Sequence, residues 1–68
     1  MISYKPLYKT LIDKNLNKTD LQNQIGISSR TLAKFTHNEP VALSVLEKIC
    51  LTLNCRIEDV IEVLPEDI

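Results

Sequence analysis

Sixty-eight residues make a single domain, and a chain of this size buries only about 60 % of the surface its unfolded form exposes, so dimerisation would help its stability. Apolar residues reach 44 % and glycine occurs once, which favours an all-helical fold; no apolar run approaches the roughly 18 residues of a membrane span and no secretory signal precedes the first predicted helix, so cytoplasmic residence without a membrane partner is expected. The formal net charge of −1, taken alone, argues against nucleic acid, yet residues 1–38 carry six Lys and Arg against two Asp while residues 39–68 carry two against seven Asp and Glu, a polarity that suits one face turned toward a phosphate backbone.

Met1 to Tyr4 reads as a short lead-in, with Ile2 free to tuck onto the core. The first predicted helix begins near Tyr4 or Lys5. Pro6 belongs in its first turn, where a missing N–H costs nothing. Leu7, Tyr8, Leu11 and Ile12 form its apolar stripe, Asn15 ends it, and Leu16 drops into the core. A second helix spans about Lys18 to Ile25. Asn17 is its N-cap and Asp20 stands where a capping box carries its acid. Leu21 and Ile25, four apart, share one face. Gly26, the only glycine, sits where a helix ends with positive φ. Ser28 then caps a third helix over about Ser29 to Thr36. At about 100° per residue, Leu32 and Phe35 define its buried direction, and Ser29, Arg30, Ala33 and Lys34 fill the opposite half, with Thr31 at the margin. Thr36 to Pro40 is a loop in which Asn38 ends the helix. The fourth helix, about Leu43 to Leu53, places Leu43, Leu46, Ile49, Cys50 and Leu53 on one face. Ala42 is a weak N-cap, Asn54 closes the helix, and Leu51 projects outside the apolar sector. A final short helix over 57–64 carries Ile57, Val60, Ile61 and Leu64 as a stripe with Val63 beside it. Pro65 stops it ahead of the acidic tail of Glu66, Asp67 and Ile68.

Helix, glycine turn and helix over residues 17–36 is the helix-turn-helix signature. The stretch NLNKTDLQNQIGISSRTLAKF resembles the Cro and phage-repressor type of helix-turn-helix, the XRE family of bacterial regulators. The likeness rests on the Leu16 to Leu21 spacing, on Gly26-Ile27-Ser28 and on Leu32, and VALSVLEKICLTLNC looks like the family's next helix and its end. The resemblance implies a compact all-α bundle of five short helices over residues 1–68, a lambda-repressor-like DNA-binding domain. It also implies a sequence-specific regulator, most simply a repressor, that occupies double-stranded DNA without chemistry. Two departures stand in the loop: Thr36 and Asn38 occupy places where the family often has glycine, and Glu39 is acidic.

The site residues follow from helix physics and from the resemblance together. The N-terminus of the second helix offers free N–H groups and a partial positive charge to a phosphate, with Asn17 and Lys18 standing there. Arg30, near the centre of the third helix's exposed face, carries a fork that matches the O6 and N7 acceptors of guanine. Ser29 reaches a base edge, Lys34 a base or a phosphate, and Thr31 a phosphate or a thymine methyl. By resemblance Ser29, Arg30, Thr31 and Lys34 occupy the family's base-contacting and phosphate-contacting positions; the capping Ser28 is counted with them as a DNA-binding candidate, and His37 is the contact candidate left in the loop. No nucleophile, base and orienter are spaced for catalysis, and no Gly-rich phosphate loop is present, so no enzyme, cofactor or small-molecule ligand is expected. Cys50 and Cys55 lack the second Cys/His pair that zinc needs, so no metal is expected, and a cytoplasmic disulfide is not expected either. Apolar surface beyond what the core needs points to a homodimer through the helix at 57–64, with Leu51, Val60, Val63 and Leu64 as its interface. The alternative is a helical protein-interaction module, antitoxin-like or an adaptor, that does not bind DNA by itself.

Overall fold

The computed structural model describes residues 1–65; the acidic tail of Glu66, Asp67 and Ile68 lies outside the described residues. Strand β1 (Ile2–Ser3) is followed by four helices, α1 (Lys5–Asp13), α2 (Lys18–Ile25), α3 (Ser29–Thr36) and α4 (Leu43–Leu53). A 3-10 turn at Ile57–Asp59 then leads into β2 (Glu62–Val63). The two strands pair antiparallel, Ile2 opposite Val63 and Ser3 opposite Glu62. The fold is the expected helical bundle, with four helices where five were read from the sequence.

The predicted fifth helix over 57–64 gives way to the 3-10 turn and the strand. Its apolar spacing suits a helix, but its residues do not. Ile57, Val60, Ile61 and Val63 are β-branched and lose side-chain freedom in a helix. Arg56 at its start supplies no side-chain cap. The extended start of the chain lies alongside as a pairing partner, and the Leu64 N–H donates to the Met1 carbonyl at 2.8 Å. Val60, assigned above to a dimer interface, is wholly buried in the protein's own core and leaves that role.

The core gathers Tyr4, Leu7, Leu11, Leu21, Ile25, Phe35, Leu46, Ile49, Leu53 and Val60. Several members of the predicted stripes are not in it, and two of those in the helices are largely exposed. Ile12 is 72 % exposed and Leu43 is 80 % exposed. Leu7 and Leu11 alone of α1 are fully buried, and Leu43 opens the first turn of α4, before Leu46 and Ile49 carry the buried face inward. Tyr4, read as part of a lead-in, is a central core residue with no exposed surface. Its ring meets Phe35 edge-on, centroids 4.7 Å apart at 70°, an arrangement that suits the quadrupoles of two aromatic rings. Its hydroxyl donates to the Glu39 carbonyl at 2.6 Å and its N–H to Asn38 Oδ1 at 3.2 Å. The loop after α3 is thereby tied to the start of the chain.

Left-handed residues end every helix. Gly26 (φ 70) closes α2, and Asn15 (φ 57), Asn38 (φ 54) and Asn54 (φ 52) follow α1, α3 and α4. Asparagine tolerates this region because its short polar side chain satisfies the local backbone. Each asparagine is bridged in the same way. The N–H of the next residue reaches back five positions: Leu16 to the Leu11 carbonyl (2.9 Å), Glu39 to Lys34 (2.9 Å) and Cys55 to Cys50 (3.0 Å). This is the Schellman closure, which satisfies carbonyls the helix leaves open.

Candidate nucleic-acid interface

The helix-turn-helix is built by its caps. Asn17 Oδ1 accepts from the Asp20 N–H at 2.8 Å, and Asp20 Oδ2 accepts from the Asn17 N–H at 3.1 Å, a complete capping box at the start of α2. Gly26 turns the chain, its N–H bonded to the Gln22 carbonyl at 2.8 Å. Ser28 Oγ accepts from the Thr31 N–H at 3.1 Å and so caps α3. Gln22 spans the turn from inside, its amide nitrogen donating to the Ile27 carbonyl and to Ser29 Oγ, both at 3.3 Å. These bonds fix the angle at which α3 leaves α2.

Along α3, Phe35 is fully buried while Leu32, Thr31 and Lys34 are half-buried. Ser29, Arg30 and Ala33 are exposed, as is His37 at the C-cap. The outward surface of α3 is therefore small apart from the one long side chain of Arg30. The structure brings Ser28, Ser29, Arg30 and Thr31 together at the first turn of α3. Ser28 and Thr31 are already engaged with one another, the Ser28 hydroxyl also donating to Thr31 Oγ1 at 3.1 Å. Lys34 lies in the last turn and His37 just beyond it.

Lys18 is held rather than free. Its ammonium lies 4.9 Å from the centre of the Tyr8 ring and donates to Thr36 Oγ1 at 3.1 Å. Tyr8 in turn donates from its hydroxyl to the Phe35 carbonyl at 3.1 Å. Side chains from α1, α2 and α3 thus meet at one point, which places the first turn of α2 beside the last turn of α3. Sequence reasoning missed Tyr8, Gln22 and Thr36 as members of this framework. Tyr8 was assigned to a core stripe, and the spacings 8 to 35 and 18 to 36 leave no periodic trace. Gln22 could have been suspected, since it stands on the exposed face of α2 one turn before the glycine.

Among the described residues no group of three or more His, Cys, Asp or Glu is placed to hold a metal ion, and no helix is long and apolar enough to cross a membrane. The chemistry at this face is donor and cation chemistry: hydroxyls, the Arg30 guanidinium and the ammonium groups of Lys18 and Lys34 on two capped helices.

Comparison with known proteins agrees with this geometry. A family model described as a Cro/C1-type HTH DNA-binding domain matches residues 7–66, from the first turn of α1 to beyond β2. The crystal structure of transcriptional regulator VanUg, Form II, is similar in both sequence and structure. It is 48 % identical, the match covers 96 % of this chain and 87 % of that one, and the TM-score is 0.93. No curated protein matches the chain. With capped α2, left-handed glycine turn and capped α3 in the family's order, the chain belongs to the Cro/C1-type helix-turn-helix DNA-binding domains.

Proposed function

We propose that this protein is a sequence-specific DNA-binding transcriptional regulator, acting as a repressor by occupying its operator, with α3 reading the major groove. The observation that carries the reading is the outward face of α3. Arg30 stands exposed between small residues on a helix that the Gly26 turn and the Gln22 bonds hold at a fixed angle. A major groove about 12 Å wide admits such a helix, and a guanidinium fork there matches guanine. Ser29 and Lys34 supply further contacts to bases or phosphates, Thr31 and Ser28 the helix start, and His37 a contact in the loop. The start of α2 holds Asn17 and Lys18 for the flanking phosphate. The similarity to the transcriptional regulator VanUg supports the same reading.

The partner set is double-stranded DNA and a second copy of the chain, in the cytoplasm. Support for a homodimer comes from apolar side chains left outside the core: Leu51 is 77 % exposed, Val63 79 % and Leu64 38 %. A two-fold dimer would set two α3 helices about 34–36 Å apart on a near-palindromic site.

Selection from random duplexes, followed by fluorescence anisotropy on the recovered site over a salt series, tests the reading. Wild type and the Arg30→Ala, Lys34→Ala double variant are run side by side. The reading expects an enriched site, a steep salt slope and a flatter slope in the variant. No enriched sequence and equal weak binding by both proteins would favour an interaction module instead, for which the exposed Leu43 and Leu51 of α4 are the supporting observation.

A further inference from the structure

The closure at the end of α4 sets two thiols side by side. Asn54 is left-handed at φ 52, and the Cys55 N–H donates to the Cys50 carbonyl at 3.0 Å. The same closure ends α1, where Leu11 and Leu16 occupy the two equivalent places and both pack against the core. Apolar contact between these two places commonly accompanies the motif. At the end of α4 they hold Cys50 and Cys55, both free, half-buried and packed on the core cluster. Cys50 lies near enough to Cys55 to help push its thiol up. A backbone hydrogen bond joins the two residues themselves, and disulfides bridge α-carbons about 4.4–6.8 Å apart.

We propose that Cys50 and Cys55 form a dithiol site that a two-electron oxidant of the peroxide class closes into an intrachain disulfide, stapling the last turn of α4 to the segment that follows it. One thiol, as thiolate, attacks a peroxide oxygen. The O–O bond breaks, and the departing hydroxide takes up the proton that thiol released, leaving as water. A sulfenic acid remains on that sulfur. The second sulfur attacks it, the S–S bond forms and the S–O bond breaks. The hydroxyl leaves as a second water with the second thiol's proton. The two sulfurs have then given two electrons to the peroxide.

The surroundings set the pace. Burial pushes the Cys55 thiol up, and Cys50 beside it and Asp59 in the 3-10 turn act in the same direction, against Lys14 at the end of α1. The thiolate is the attacking form, so closure quickens as the pH rises from neutral into the mildly alkaline range.

The test uses the full reduced chain at low micromolar concentration, treated with hydrogen peroxide at neutral and at mildly alkaline pH. The reaction is quenched with N-ethylmaleimide and read by intact mass. The expected product is a monomer lighter by two hydrogen atoms that takes no maleimide, forms faster at the higher pH, and regains both adducts after dithiothreitol. Cys50→Ser and Cys55→Ser should each fail to give it. The oxidised wild type should melt above the reduced one, because the bridge constrains the unfolded chain. Two adducts persisting after oxidation, disulfide-linked dimers in place of the monomeric product, or an oxidised monomer that melts below the reduced form would each overturn the proposal.

Discussion

At Gly26 the backbone sits at φ +70 with nothing within 4 Å of where a Cβ would stand. The strain of a substitution there is conformational and not steric. Gly26→Val should lower stability by about 1 kcal/mol or more, whereas Gly26→Asn should cost far less, since the chain already turns left-handed at three asparagines. Urea midpoints of the two variants check this; equal losses would contradict it. Arg30 makes the opposite case. Arg30→Ala should leave the melting curve nearly unchanged and cost about 1–3 kcal/mol of discrimination at one base pair. Tyr4 carries a pH signature. Burial pushes its phenol up, only partly opposed by the Val41 backbone. The unfolded chain therefore ionises this group first, and the stability it protects is present below about pH 10 and falls as the pH rises through the folded value. Tyr4→Phe should flatten that alkaline loss, as read by denaturation midpoints across the alkaline range, while costing stability at neutral pH for the lost bond to the Glu39 carbonyl.

The four helices were legible because their ends are written locally. Asn17 with Asp20, Ser28, Gly26 and the three asparagines each act within a few residues of themselves, so spacing alone places them. What was not legible is what depends on distant partners. β2 forms because Ile2 and Ser3 lie beside it, some sixty positions away in the chain, and the periodicity of Ile57, Val60 and Ile61 does not distinguish that outcome from a helix. Tyr4 is core because Phe35, Asn38 and Glu39 receive it. The meeting of Tyr8, Lys18 and Thr36 is hidden for the same reason. Its contribution is testable at the level of the elements it joins. Tyr8→Phe keeps the ring under Lys18 and removes the donor to the Phe35 carbonyl, and should cost about 1 kcal/mol in thermal or chemical denaturation. If the α3 angle depends on that bond, affinity for every duplex should fall together.

On the scale of the whole molecule, charge and apolar surface divide between the two halves of the chain. The basic half contains α2 and α3, and the acidic half contains α4 and β2. The proposed self-association through the exposed Leu51, Val63 and Leu64 predicts a sedimentation mass that rises with concentration, and Leu51→Ser with Val63→Ser should return it to that of a monomer. Concentration-independent monomer mass in the wild type would remove the dimer.

The pairing of β1 with β2 has a consequence for chain connectivity. The Met1 nitrogen donates to the Leu64 carbonyl at 2.9 Å, and the Leu64 N–H to the Met1 carbonyl at 2.8 Å, so the first and sixty-fourth residues touch. Two segments so far apart in sequence that meet in space can be joined by one short linker. A circular permutant that joins Pro65 to Met1 through a few glycines, and opens anew between α1 and α2 near Asn15, should keep the same helices in a different covalent order.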